Sequence, residues 1–221
     1  MKIRNFHFSN GIDIKLVDWT RLKEPDKSVD LHCWASYFSF HWDTLQNTII
    51  LDIGAEDGLY SLLAAKCGLR PYVISMEEVP WKHAMMIENK RLNSDWLVGE
   101  GEIPKTSTFN SILTPDAVES FAGKENPKRI SIIRVNINSG KLELIQDYSK
   151  IIKNNSPTFF IKIENVEEYM EIRDKLGSLG YMEVKQINNY PEKITDSWYY
   201  KLLYSENVDN FRNNWFVFSK N

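Results

Sequence analysis

The segment from Leu51 to Ser61, with the sequence LDIGAEDGLYS, decides the fold of this chain. The apolar, β-branched run 48–51 that leads into it predicts a buried parallel strand. The helical spacing of residues 59–66 predicts a helix directly after it. Gly54 and Gly58 permit a tight turn and a close approach of a ligand to the backbone, and the helix N-terminus offers free N–H groups. The segment therefore predicts a ligand-binding strand–turn–helix unit.

The acid at the end of the predicted strand, Asp52, restricts the ligand. A carboxylate suits an ordered water, a main-chain N–H or a ligand amine, and it repels a phosphate. No Lys-Ser/Thr pair follows, as a P-loop requires, and the complete Gly-x-Gly-x-x-Gly fingerprint of dinucleotide enzymes is absent. A nucleotide-sugar or dinucleotide enzyme is therefore the less favoured reading.

Strands and helices alternate from residue 48 onward, which predicts an α/β fold with a mostly parallel, doubly wound sheet. No helix pattern separates the last two strands, which predicts an antiparallel final strand. After the first strand, further strands are predicted at residues 71–76, 96–98, 130–135, 158–163, 181–187 and 215–218. After the first helix, further helices are predicted at residues 80–93, 115–122, 140–154 and 166–176.

The N-terminal part predicts a β-hairpin, because the alternating segments 3–8 and 12–17 flank Asn10-Gly11. An aromatic stretch at 34–42 is expected to pack against the sheet. We predict one domain, with residues 1–47 forming the hairpin and aromatic connection and residues 48–221 forming a Rossmann-like core.

Composition excludes several classes of protein. The 221 residues are 43% hydrophobic and 26% charged, which is ordinary for a globular protein with a sizeable core. The net charge of -3 provides no electrostatic footprint for nucleic acid, so no nucleic-acid partner is expected.

No apolar run could span a bilayer, and the polar start does not resemble a signal peptide. Cys33 and Cys67 have no metal-type spacing, which favours a cytoplasmic protein without a metal site, and a homo-oligomer stays open.

Three predicted strand ends carry polar groups suited to a ligand at the carboxyl edge of the sheet. The glycine turn is the first. Glu77 is the second and is placed to accept hydrogen bonds from both hydroxyls of a ribose, although a solvated helix-capping charge is the alternative. The third is residues 136–140, NINSG, a polar strand end that opens a helix.

These stretches together resemble a known family. DIGAEDGLYS resembles motif I of the Rossmann-like methyltransferases that use S-adenosylmethionine (SAM). Residues 48–187 resemble the FkbM-type methyltransferases. The segments that carry this resemblance, besides motif I, are MEEVP (76–80), NKRLN (89–93), IIRVNINSG (132–140) and LGSLGY (176–181). The resemblance implies SAM as cofactor and O-methylation of a small or carbohydrate acceptor. The residues expected to bind the cofactor are Asp52, Gly54, Ala55, Glu56, Gly58, Tyr60, Ser61, Glu77 and Asn136.

One departure from the family pattern concerns the acceptor. Where the family usually has Asp-Val-Glu-Gly, this chain has Asn136 and Asn138, and an amide cannot act as a general base. Asn138 and His83 are the candidate catalytic residues, with a structural histidine as the alternative for His83. The departure keeps open a second function, a methyltransferase-like binding or assembly protein that has lost catalysis.

Two long connections are expected to form the mouth of the site. Residues 188–213 carry several aromatic side chains that suit a ring-bearing acceptor. The alternatives to a binding role for this segment are a loop packed on its own core or a contact between subunits. Residues 99–128 are expected to form the second wall.

Overall fold

A computed structural model describes residues 2–7, 13–18, 48–66, 72–94, 106–124, 129–187 and 214–220. The strands are β1 (Lys2–His7), β2 (Asp13–Asp18), β3 (Ile49–Ile53), β4 (Tyr72–Met76), β5 (Thr106–Phe109), β6 (Ile130–Val135), β7 (Thr158–Ile163), β8 (Met182–Ile187) and β9 (Asn214–Ser219). The helices are α1 (Leu59–Lys66), α2 (Pro80–Leu92), α3 (Pro115–Lys124), α4 (Lys141–Asp147), α5 (Ser149–Asn155) and α6 (Val166–Ser178).

A seven-stranded sheet with the order β5-β4-β3-β6-β7-β9-β8 forms the centre of the fold. The pairs on both sides of β3 are parallel, and β9 lies antiparallel between β7 and β8. This confirms the predicted α/β sheet and its antiparallel last strand. The chain order reverses between β3 and β6, so the crevice that binds ligands in open α/β sheets lies at their carboxyl ends.

The two faces of the sheet are covered differently. Helices α3 to α6 pack on one face, where alternate residues of the strands, such as Leu51 and Ile133, form a large apolar cluster. The other face is covered by α1 and β2, with Leu63 and Ile14 in its cluster. Every residue of α1 except Lys66 is buried, because the helix lies between the sheet and the hairpin.

The N-terminal hairpin is confirmed, with β1 and β2 antiparallel in a register that runs from Lys2 opposite Asp18 to His7 opposite Asp13. Two asparagines of α2 hold it in place. The side-chain oxygen of Asn89 accepts from Val17 N at 2.7 Å. Asn93 accepts from Lys15 N at 2.9 Å and donates to Lys15 O at 2.6 Å. These bonds satisfy backbone groups along β2 that would otherwise need other partners.

The third sheet strand differs from the prediction. Residues 96–98 lie outside the described part of the chain, and the strand that pairs with β4 is β5. Its sequence, TSTF, has only one apolar residue, which is why an apolar pattern could not reveal it. The predicted helix at 140–154 is also divided, at Tyr148, into α4 and α5.

Other predictions fall on residues that the structure does not describe. These are the turn of the hairpin, the aromatic stretch 34–42, and the segments 99–105 and 188–213. Within the described ranges, no helix is long and apolar enough to cross a membrane.

Candidate functional site

The turn after β3 is held tightly by its neighbours. Gly54 and Gly58 both have positive φ, at 74° and 79°. The N–H groups of Gly54 and Ala55 both donate to Met76 O, at 2.9 and 3.0 Å. A Cβ on Gly54 would lie 2.1 Å from the backbone oxygen of Asn136, so this closeness to β6 requires glycine.

Glu77 is buried and bonded to the same turn. One carboxylate oxygen accepts from Glu56 N at 2.8 Å and the other from Val79 N at 2.9 Å. A carboxylate has about four lone-pair positions, so these two bonds leave capacity for two further donors. The arrangement is compatible with a ribose, although only 4% of the residue is exposed.

Glu56 combines a backbone constraint with an ion pair. It is a non-glycine residue with φ of 54°, in the left-handed region that costs about 1–2 kcal/mol for side chains with a Cβ. Its carboxylate lies 3.2 Å from Lys82 Nζ, and both side chains are partly exposed. Asp57 accepts from Leu59 N at 3.2 Å and thereby caps α1.

Asp52 belongs to a buried polar row. The register places Ser75 of β4 beside Asp52 and places Arg134 of β6 on its other side. Asp52 accepts from Arg134 Nη1 at 2.5 Å and from Ser61 Oγ at 2.5 Å. Ser75 Oγ donates to Ser61 Oγ at 2.7 Å. Both oxygens of the predicted cofactor acid are thus bonded to the protein, and the residue is 2% exposed.

Aromatic rings enclose the Arg134 guanidinium. Its carbon lies 3.8 Å from the ring centroid of Tyr60 and 4.6 Å from that of Trp215. Burial is the largest influence and by itself would lower the pKa of Arg134, but Asp52, Tyr60 and Glu56 together outweigh it, so the pKa is raised and the side chain stays charged. Tyr60 and Ser61, both predicted to line the cofactor, are buried in this cluster.

We call the carboxyl ends of β3 and β4, with Asp52, Glu56 and Glu77, the turn side, and the carboxyl ends of β6 and β7 the amide side. On the amide side Asn136 is half-buried and its Nδ2 lies 3.4 Å from Gly54 O, whereas Asn138 is exposed. The structure therefore brings Asn136 beside the glycine turn, as predicted for the sheet edge.

His83 is separated from the amide side. It lies in the first turns of α2, which follows β4, and β3 stands between β4 and β6. His83 Nε2 is buried and has no hydrogen-bond partner among the described residues. The two predicted catalytic residues, His83 and Asn138, thus follow strands on opposite sides of β3. No group of three or more His, Cys, Asp or Glu that could hold a metal ion occurs in the ranges described.

Sequence reasoning missed Arg134, although a signal was present. Residues 130–135, ISIIRV, contain a single charge within a buried parallel strand. A buried charge must be paired, and the nearest acid at a neighbouring strand end is Asp52. Asn89 and Asn93 carry part of the family resemblance, but nothing in a single sequence shows that an amide of a helix will bind a hairpin distant in sequence.

No protein-family model matches the chain, and no curated protein matches it. Solved structures do. A candidate RNA methyltransferase from Pyrococcus horikoshii is 16% identical, with a TM-score of 0.53 over 97% of this chain and 92% of that one. The T. thermophilus 16S rRNA N2 methyltransferase RsmC, in complex with AdoMet and guanosine, is 14% identical, with a TM-score of 0.54 over 99% of this chain and 50% of that one. A precorrin-6y methyltransferase from Geobacter metallireducens is 11% identical, with a TM-score of 0.51 over 92% of this chain and 93% of that one.

The fold is that of the Rossmann-like methyltransferases. At these identities the likeness establishes the fold, and proteins with different acceptors share it. The expectation of no nucleic-acid partner was wrong, because several of the structures that share the fold are named for RNA. That expectation relied on net charge, which does not describe how a single base is recognised at a sheet edge.

Proposed function

We propose that this protein is a SAM-dependent methyltransferase whose acceptor is the nitrogen of an amine attached to the ring of an RNA base. The observation that carries the proposal is the pair of amides that follow β6, with Asn136 beside the glycine turn and Asn138 exposed at the same edge of the sheet. Bound SAM would supply an electrophilic methyl group on a sulfonium. The residues of this chain would bind it and orient the acceptor.

The turn side fits such a cofactor. Glu77 retains acceptor capacity for two ribose hydroxyls after its two bonds to the backbone. The charge of Glu56 is offset by Lys82, so the Glu77 carboxylate is the group that gives this edge a negative charge and favours a cationic ligand over a phosphate. We place Gly54, Ala55, Gly58 and Glu77 at the cofactor. Asp52, Tyr60 and Ser61 would act indirectly, by holding the turn.

The amide side favours nitrogen as the acceptor. The oxygen of an amide accepts a hydrogen bond from an N–H but cannot take a proton from a hydroxyl. A ring-bound amine attacks through its own lone pair, so it needs less help from a base than an alcohol does. The guanosine complex of the rRNA N2 methyltransferase is consistent with this choice.

O-methylation of a small or carbohydrate acceptor, and membership of the FkbM-type family, are the finer sequence-based predictions. They depend on the quoted motifs, and none of the compared structures supports them. The family pattern has two acids where this chain has Asn136 and Asn138, so the departure itself favours a different acceptor.

The test is calorimetric titration of the protein with SAM and S-adenosylhomocysteine, followed by transfer of tritiated methyl groups to total RNA. Glu77→Gln should weaken SAM binding by about 10-fold or more, and the adjacent, exposed Glu78→Gln should leave it unchanged. Thermal unfolding of both variants checks that the turn remains folded. Failure of the wild-type protein to bind either ligand would sink the proposal.

A second function is favoured by one observation. Asp52, the acid of the glycine motif, is buried against Arg134 and Ser61, as in a site that has become part of the core. A methyltransferase-like binding protein without catalysis would show this. It predicts SAM binding that is absent, or present without any methyl transfer to RNA.

A further inference from the structure

The peptide unit that joins Gly54 to Ala55 is held from the strands on both sides of β3. Its N–H, on Ala55, donates to Met76 O of β4 at 3.0 Å. Its carbonyl, on Gly54, accepts from Arg134 Nη1 of β6 and from Nδ2 of Asn136, which follows β6, both at 3.4 Å. Gly54 and Ala55 are buried, and both polar groups of this peptide have partners inside the protein. The orientation of the first peptide of the glycine turn is therefore set from both sides.

The backbone of Asn136 lies against the same turn. Its N–H donates to Ile53 O at 2.8 Å, which continues the contact between β6 and β3 past the end of β6. A Cβ on Gly54 would lie 2.1 Å from Asn136 O and 3.2 Å from Ile137 Cγ2, so a larger residue has no room there. Because the backbone of Asn136 is held this closely, its side chain starts from a fixed position beside the Gly54 carbonyl.

Only one end of the Asn136 side chain suits this position. A carbonyl oxygen accepts hydrogen bonds, so the NH₂ group fits beside Gly54 O, whereas the reversed amide would place two acceptors together. A carboxylate has no N–H to donate and would bring the same conflict with a full charge. The Arg134 guanidinium lies nearby, but it is paired with Asp52 at 2.5 Å. The position therefore selects an amide over an acid.

This selection bears on the departure from the family pattern. The pattern has an acid where this chain has Asn136, and the change taken alone is consistent with a loss of catalysis. The bond to Gly54 O gives the amide a different role, because it joins the residue to the glycine turn. In the described part of the chain, no donor is bonded to the oxygen of the Asn136 amide. That oxygen stays available for the acceptor, as the proposed function requires.

We propose, on the basis of the proposed function, that Asn136 is a positioning residue for the cofactor. Its Nδ2 holds the carbonyl of Gly54 and thereby keeps the glycine turn in the shape that receives SAM. Asn136 acts through the turn rather than on the sulfonium. Its effect is therefore the same for SAM and for S-adenosylhomocysteine, which share every group except the transferred methyl.

The experiment is calorimetric titration with SAM and with S-adenosylhomocysteine, in the absence of RNA, of the wild-type protein and three variants. Asn136→Ala removes the donor, and Asn136→Asp also places a negative charge beside Gly54 O. The first change should weaken the affinity by about 3-fold and the second by about 10-fold, by the same factor for both ligands. The matched control is Asn154→Asp, the same change at an exposed position of α5, which should bind as wild type.

The stoichiometry of the titration separates positioning from folding. Both Asn136 variants should bind as many ligands per molecule as the wild-type protein does, with a raised Kd. A reduced stoichiometry at unchanged Kd would mean that the residue only supports folding, and it would overturn the inference. Thermal unfolding of each protein gives an independent measure of the folded fraction.

The remaining outcomes separate this inference from the proposed function. Wild-type affinity of Asn136→Asp for both ligands overturns the inference and leaves the proposed function standing. A change for SAM without a change for S-adenosylhomocysteine also overturns it, because the residue would then act on the sulfonium charge. Wild-type protein that binds neither ligand overturns both.

Discussion

The turn side and the amide side of the same sheet edge are built in opposite ways. On the turn side, Asp52, Glu56 and Glu77 are each bonded to the protein, and two of them are almost fully buried. On the amide side, Asn136 is half-buried and Asn138 is exposed. A rigid, internally bonded edge suits one constant ligand, and an open edge suits recognition of a variable one. Under the proposed function, donor binding would be preorganised by the core, whereas acceptor choice would depend on a few exposed side chains.

The largest expected effect concerns the buried ion pair that supports the turn side. Asp52→Asn leaves the buried Arg134 guanidinium without its charged partner, which should lower the free energy of unfolding by about 3–5 kcal/mol. Urea denaturation measures the loss. A double variant, Asp52→Asn with Arg134→Met, should regain part of it. A loss below about 1 kcal/mol in the single variant would show that the row does not support the turn.

The next effect concerns the hairpin that covers α1. Asn89→Ala removes the acceptor for Val17 N and the donor to Asp57 O from a fully buried position. Leaving these backbone groups unsatisfied should cost about 2–3 kcal/mol. Asn110→Ala, at an exposed position after β5, is the matched control and should cost little. Equal losses in the two variants would refute the docking role of Asn89.

A smaller effect concerns the bond that joins the helices after β6 to the loop after β5. Tyr148, between α4 and α5, donates to Leu113 O at 2.6 Å in the loop after β5. Tyr148→Phe should lower the free energy of unfolding by about 1 kcal/mol. Burial raises the pKa of Tyr148, so the folded state retains the proton longer than the unfolded state. This stability is complete below the ordinary pKa of tyrosine and is lost as pH rises above it.

Alkaline denaturation at several pH values checks the sign. The wild-type protein should lose more stability than Tyr148→Phe as pH rises above the usual tyrosine range. Parallel curves for the two proteins would show that this hydroxyl does not contribute.

The smallest effect concerns Glu56. Glu56→Gly removes the cost of a side chain at positive φ and also removes the ion pair with Lys82, which contributes about 0–1 kcal/mol. The net change should be a gain of about 0.5 kcal/mol in unfolding free energy. Lys82→Met, which removes the ion pair and the contact of the Lys82 ammonium with the Trp81 ring but keeps the Glu56 backbone, should give a loss of similar or smaller size. If Glu56→Gly instead strongly lowers the free energy of unfolding, the Glu56 side chain rather than its backbone conformation determines the stability of the turn.

The features that could be predicted from the sequence are those that depend on residues close together along the chain. The hairpin and most strands and helices depend on local periodicity, so they were predicted closely, as for 130–135 and 158–163. β5 was not predicted, because a short edge strand needs little apolar character. The glycine turn was located because its shape depends on local backbone freedom. The bonding of its acids was not foreseen, because Arg134 is far from Asp52 in sequence.

The sequence by itself determined the class of fold and predicted the edge of the sheet where a ligand is expected. Alternating strands and helices, and two glycines at a strand-to-helix turn, require no distant contact to be recognised. The tertiary structure decided which polar groups remain for the ligand. Only the register of β4, β3 and β6 joins Ser75, Asp52 and Arg134 into a buried row. Only the pairing of β3 with β6 brings Asn136 against Gly54. A carboxylate is functional or structural according to what lies beside it, and pairing between strands is a property of the folded chain.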